Sequence, residues 1–290
     1  MKIQGDKLNP TRYSKSQIKW FAILIPLAIF YVLPIIFIFS TAFKPLSELF
    51  EYPPKLFARN PTTENFEDLV SVLSGSTIPF SRYLMNSILT TLIVTVANVL
   101  ISLYAAYTIA KKKFRGKELL STINTMALMF VPVAVTIPRF LVIQNLNLLD
   151  TFWALVLPLV AIPVGLYLLV QFISTVPDAL IEAARMDGAS ETKILFRIIA
   201  PMSKPAICTV AILAFQNAWN AIEPSNLFVS NDMLKTFPYY ISSLTSNQGN
   251  TVAGAGIVAA STLVLFIPNL IVFLVMQSRV MNTMAHSGLK

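Results

Sequence analysis

Two groups of residues have the types and spacing for chemistry, and in both it is the chemistry of contact. The first is Glu182, Ala183, Ala184, Asp187 and Gly188, inside the stretch PDALIEAARMDGASETKILFRIIAP from Pro177 to Pro201. Its carboxylates can accept charge-assisted hydrogen bonds from the arginines or backbone N–H groups of another protein, and the paired alanines let a foreign backbone come close. The second is Gln216, Trp219 and Asn220, with Asn217 beside them. Steps of three and four residues put Gln216, Trp219 and Asn220 on one helical face, where amides offer hydrogen bonds and the indole a flat apolar surface. Interhelical hydrogen bonding that locks the helix against its neighbours is the other reading of these amides. Bond-making chemistry has no support. The nine glycines form neither G-x-x-x-x-G-K-[ST] nor G-x-G-x-x-G, so any nucleotide must be bound by a partner. His286 stands alone in a polar tail and Cys208 alone in an apolar run, which leaves no internal disulfide and no ligand set for a metal.

The elements that must position the first group are two short helices. Pro177 suits a first helical turn, Asp178 the positive helix start, and Gly188 the left-handed residue that ends the helix. Ser190 can cap a second helix whose apolar residues Ile194, Leu195, Ile198 and Ile199 share a face. Across the stretch Asp178, Glu182, Asp187 and Glu191 balance Arg185, Lys193, Arg197 and Lys204. A helix lying on lipid headgroups would be basic, so the neutral balance favours a protein partner.

The second group must sit in a membrane. With 290 residues, 55% apolar, 12% charged and a mean hydropathy of +0.67, the chain is too apolar for an ordinary soluble domain. The sequence pI of 9.6 does not point to nucleic acid, because the Lys and Arg residues flank apolar runs. Charge-free runs at about 20–43, 83–110, 119–138, 151–176, 205–222 and 252–278 are each near or above the length of a spanning helix, which predicts an all-α fold of six transmembrane helices. The first run is too long for a signal-peptide core and reads as a retained span. Prolines 26, 34, 132, 158, 163 and 268 lie within the runs and predict kinks. Placing both termini in the cytoplasm puts sixteen of the 22 Lys and Arg inside: five before the first run, five at 111–117, four at 185–204 and two after the last. That satisfies the positive-inside rule and leaves the 177–201 stretch cytoplasmic.

Glu182-Ala183-Ala184, then Gly188, then Ile198 and Pro201 at fixed spacings resemble the EAA loop of ABC importer permeases. Asn86-Ser87, Ala105-Ala106-Tyr107, Lys111 to Gly116, Ile137-Pro138 and Leu146 to Thr151 are similar to further pieces of that family. The segment from Lys44 to Arg82 resembles the first extracytoplasmic segment of its carbohydrate branch, of the type of the smaller maltose-importer permease. The resemblance implies the ABC transmembrane type-1 fold over 83–278, preceded by a cytoplasmic segment 1–19, a first helix 20–43 and an extracytoplasmic loop 44–82. It implies that Glu182, Ala183, Ala184, Asp187 and Gly188 couple to a cytoplasmic ATPase dimer that binds ATP and Mg, with no cofactor on this chain. It implies a second homologous permease, an extracellular solute-binding protein met by the loop Glu223 to Thr251, and a bacterial or archaeal cell membrane. The tail 279–290, through Ser287 and Gly288, is expected to enter the ATPase interface. The sugar site of the maltose importer belongs mainly to the other permease, so a role for Gln216, Trp219 and Asn220 in a translocation path is the expectation resting most on residue chemistry. Two positions depart from the family pattern: Ala200, where Leu is usual, and Arg139, where a neutral residue is common and which is expected to snorkel from a span end.

A permease for a non-sugar solute remains an alternative. A secondary transporter would carry ionisable residues at mid-membrane and internal repeats, and a membrane enzyme would cluster His, Asp or Glu at a membrane face. These spans lack the first, and the only carboxylate cluster is the loop itself.

Overall fold

A computed structural model describes residues 17–74, 78–130, 132–248, 251–252 and 254–287, and every described element is helical or irregular. The chain divides into two compact units. One comprises the chain up to Leu73, Leu244–Val264 and Met284–Lys290; the other comprises Ser74–Ser243 and Leu265–Thr283.

The first unit begins with α1, Gln17–Ala42, apolar all round, with Trp20, Ile23, Phe30 and Tyr31 exposed. A helix with no polar face has lipid as its natural surroundings. Beyond it the long loop is folded. Glu48 in the short helix α2, Leu46–Leu49, accepts hydrogen bonds from the backbone N–H groups of Arg59 and Asn60 at 2.9 and 2.8 Å. Asn65 in α3, Glu64–Ser74, donates its amide to the carbonyls of Ala42 and Lys44 at 2.9 and 2.7 Å, satisfying the C-terminal end of α1. Gly256 lies against this amide: a Cβ there would come within 2.1 Å of Asn65 Oδ1. A small residue at the start of the last helix therefore allows close packing at Gly256.

The second unit is built on α4, Phe80–Lys111, which packs against several of the helices that follow it. It is followed by α5, Lys117–Ala127, and α6, Thr136–Asn145, with a 3-10 turn at Pro132–Val135 before the latter. Here the kink expected at Pro132 in the third run, 119–138, is a full break between helices. Pro132 lacks an N–H and Pro138 falls in the first turn of α6, so the run is a broken pair of short helices. The fourth run is also two helices, α7, Phe152–Val160, and α8, Pro163–Ser174, bent by 40° where Pro163 opens the second. Next come α9, Asp178–Met186, and α10, Glu191–Ile194, then a π-helical turn at Leu195–Ile199 and α11, Ala200–Met202. α12, Lys204–Trp219, lies along both α4 and α8, and α13, Glu223–Leu227, and α14, Phe237–Gln248, follow it. The last helix, α15, Gly254–Ser287, runs through both units. Among the described residues four helices are long and apolar enough to span a membrane by themselves, and α7 with α8, taken as one bent span, would be a fifth.

Candidate functional site

The loop around Gly188 folds as its composition requires. Pro177 stands just before α9, as its cap and not within its first turn. Gly188 has φ of +75°, with open space where a Cβ would be, so backbone conformation and not crowding demands glycine there. Ser190 Oγ accepts from the Lys193 N–H at 3.4 Å and caps α10. Ile181 of α9 and Ile194, Leu195 and Ile199 beyond the turn are buried together against Leu103, Ala106 and Tyr107 of α4 and Leu169 and Ile173 of α8. Glu182, Ala183, Asp187 and Gly188 are exposed. Ala184 is not: at 9% exposure it belongs to the chain's own core, so only Ala183 of the pair is open to a partner. The reason is helical phase, since Ala184 lies three residues after the buried Ile181. Met186, 89% exposed at the helix end, adds an apolar knob that sequence reasoning passed over.

Charged groups from α4 hold this loop. Lys111 Nζ, with only 6% of its side chain exposed, donates to Asp178 Oδ1 at 2.8 Å and to the carbonyls of Ser174 and Val176. Glu191 accepts from Tyr107 Oη at 2.7 Å and from Arg185 Nε at 3.2 Å, and pairs with Lys112. The Lys112 ammonium, followed by the Tyr107 hydroxyl, holds the Glu191 carboxyl down at about 2. Asp178 is likewise lowered by Lys111. The signal for these partners was present as the basic run after Ala110, but nothing in one dimension pairs it with Glu191.

Gln216, Asn217 and Asn220 of the second group line a cavity of about 670 Å³ at the meeting of three helix breaks. Ala127, Phe130 and Val135 come from the break after α5, Pro158 to Pro163 from the bend between α7 and α8, and Gln216, Asn217 and Asn220 from the end of α12. Irregular backbone at such a depth must find hydrogen bonds. Asn98 of α4 donates to the Val160 carbonyl, and Asn124 of α5 to that of Pro163 at 3.3 Å. Trp219 does not share the cavity with Gln216 and Asn220, against the expectation of one common face. It is 4% exposed, stacks on Phe215 with centroids 6.0 Å apart, and donates Nε1–H to the Leu265 carbonyl at 2.9 Å. Its role is packing of α12 on α15. Asn220 does both, facing the cavity while its Oδ1 accepts from Asn269 at 3.1 Å.

Arg139 does not snorkel. It pairs with Glu223 at 3.1 Å and lines the cavity with it, because a carboxylate one helix away is a better partner than a headgroup at a distance. Asn86 and Ser87 also have a positional use. Asn86 Nδ2 donates to the Met233 and Lys235 carbonyls at 2.9 and 3.0 Å, and Ser87 Oγ accepts from Phe237 N–H at 2.7 Å, which fixes the connection between α13 and α14. Asp150 accepts from the Asn231 N–H at 3.0 Å in the same connection. Gly288 lies outside the described residues, and Ser287 is described only as the last residue of the α15 backbone.

The trehalose/maltose transport system permease protein MalG of Thermococcus litoralis is 33% identical over 245 residues, covering 81% of this chain and 87% of that protein. The sn-glycerol-3-phosphate transport system permease protein UgpE of Yersinia pestis is 32% identical over 246 residues, covering 84% and 87%. A chain from the crystal structure of a bacterial ABC transporter that imports the acidic polysaccharide alginate superposes with a TM-score of 0.78 at 22% identity, covering 93% of this chain and 99% of that one. Residues 98–278 match the binding-protein-dependent transport system inner membrane component. With that match over more than half its length, and relatives of this identity over most of it, the chain belongs to the family of binding-protein-dependent transport permeases.

Proposed function

We propose that this permease carries a sugar or oligosaccharide inward, energised by an ATPase dimer that docks on the loop around Gly188 and binds the ATP and Mg. The observation that supports docking is an exposed edge of Glu182, Ala183, Met186 and Asp187 on a loop whose opposite face is buried. In this reading a second, similar permease completes the pathway, a solute-binding protein delivers cargo from outside, both termini are cytoplasmic, and the C-terminal tail reaches the ATPase.

An uncharged cargo is favoured over a phosphate ester by the cavity wall. Its lining residues offer the amides of Gln216, Asn217 and Asn220, and the charges of Arg139 and Glu223 are committed to each other. A free anion in this cavity would meet Glu223 as well as Arg139. The relative that transports sn-glycerol-3-phosphate keeps an anionic solute as the second reading.

The test is purification of the tagged chain with its partners, followed by uptake into proteoliposomes of trehalose, maltose, maltotriose and sn-glycerol-3-phosphate. Co-purifying ATPase subunits and ATP-dependent uptake of a neutral sugar are expected. Preferential uptake of sn-glycerol-3-phosphate overturns the neutral-cargo reading, and transport by the isolated chain without ATP overturns the importer reading.

A further inference from the structure

Glu191 is one carboxylate joined to three elements. Tyr107 Oη at 2.7 Å reaches it from α4 and Lys112 from the cap of that helix, Arg185 Nε at 3.2 Å reaches it from α9, and it is itself the first residue of α10. Lys111, one turn of α4 beyond Tyr107, grips the other limb at Asp178 and at the carbonyls of Ser174 and Val176. The turn at Gly188 lies between the two grips and is bridged by Arg185 and Glu191.

Short helices, α9 of nine residues and the helical run from Glu191 to Met202, do not by themselves fix their mutual angle. Apolar contact holds them to α4 but is not directional. Paired charges with hydrogen bonds are directional, and here they come from the last turn of one long helix and the residue that caps it. We propose that Tyr107, Lys111 and Lys112 form a clasp on Glu191 and Asp178 that makes both limbs of the loop move as one body with α4, with Glu191 as the central positioning residue. The role in coupling rests on the reading of the loop as the ATPase contact; the clasp itself does not.

The consequence is a defined route for motion. α4 lies along α12, which carries Gln216, Asn217 and Asn220, and along α8, whose start borders the cavity. A push on the loop is delivered to α4 at Tyr107, Lys111 and Lys112, and through it to the helices that wall the cavity. Without the clasp the two limbs are free to pivot about Gly188, and the push is lost in the loop.

Spin labels at Met186→Cys and Ile101→Cys, in the full chain in nanodiscs with Cys208 replaced by Ser, report the loop's position relative to α4. The native clasp is expected to give one narrow distance distribution, which Glu191→Lys broadens about twofold by populating pivoted states. The exchanged pair Lys112→Glu with Glu191→Lys is expected to narrow it again, which separates the clasp from simple misfolding. An unchanged width in Glu191→Lys overturns the clasp, as does failure of the exchanged pair to narrow it.

In the importer purified with its ATPase, Glu191→Gln is expected to lower the ratio of binding-protein-stimulated to basal ATP hydrolysis about fivefold, as lost coupling requires. A broadened distribution with an unchanged ratio overturns the role in coupling. If no ATPase co-purifies with the native chain, the reading of the loop fails, while the distance measurement still decides the clasp.

Discussion

Gly188 and Trp219 separate two ways in which a residue becomes indispensable. Gly188 has φ of +75° and open space around it, so substitution is resisted by the backbone alone. Gly188→Ala is expected to cost about 1–2 kcal/mol, Gly188→Asn less because Asn visits the left-handed region, and Gly188→Pro to abolish coupled transport because its ring fixes φ negative. Thermal unfolding in detergent and ATP-dependent uptake check the order; equal behaviour of the Asn and Pro variants would contradict it. Trp219 is held by packing, with its indole buried on Phe215 and hydrogen-bonded to Leu265. Trp219→Ala is expected to destabilise by about 3–5 kcal/mol and Trp219→Phe by much less, since the stack on Phe215 is kept. Gln216→Ala and Asn217→Ala are expected to change uptake with the unfolding temperature nearly unaltered, since they face open cavity. A Trp219→Ala variant of native stability with altered solute preference would return the indole to the translocation path.

Elements were legible where a local rule decided them. Gly188, Ser190 and the apolar spacing from Ile194 to Ile199 dictated two short helices with a turn between, and the fold has them. In the third span the kink that Pro132 promised is a full break between α5 and α6, because hydropathy counts apolar residues and does not register that the chain turns. The one-face assignment of Gln216, Trp219 and Asn220 failed on similar grounds. Spacing fixes phase, but a bulky indole takes the side where α15 can pack, and the amides keep the cavity. Pairings such as Lys112 with Glu191 and Arg139 with Glu223 depend on three dimensions and carry no mark in the sequence. The Glu191 junction between elements has a measurable pH signature. Its carboxyl lies at about 2 against an ordinary 4.5, so its stabilising pairing with Lys112, Tyr107 and Arg185 is fully present above about 4.5 and is lost as pH falls from there toward 2. The loop-to-α4 distance distribution is therefore expected to stay constant from neutral pH down to about 4.5 and to broaden below it, with Glu191→Gln leaving only the part that Asp178 contributes through Lys111. Broadening near neutral pH in the native chain would contradict this.

For the whole molecule the decisive physical question is sidedness, because docking, delivery and tail insertion each demand a particular face of the membrane. The distribution of Lys and Arg favours one orientation: sixteen of 22 fall together on the inner face if that face holds the N-terminus, the segment after α4, the Gly188 loop and the C-terminus. The even segregation matters more than any single charge, since moving one loop across would carry four or five cations with it at about 1 kcal/mol each near an anionic leaflet. Two exposed residues report the two faces. Tyr52, 93% exposed, lies in the folded loop between α1 and α3, and Met186, 89% exposed, ends α9. With buried Cys208 replaced by Ser, Tyr52→Cys is expected to react with a membrane-impermeant maleimide in intact cells stripped of any outer barrier. Met186→Cys is expected to react only after permeabilisation, or in inverted vesicles. Labelling of both sites from outside would place the Gly188 loop opposite the ATP, and no ATPase could then reach Glu182, Ala183 and Asp187. Labelling of Met186→Cys from inside, lost when the ATPase is bound and restored when it is stripped off, is the expected result that joins orientation to docking in one measurement.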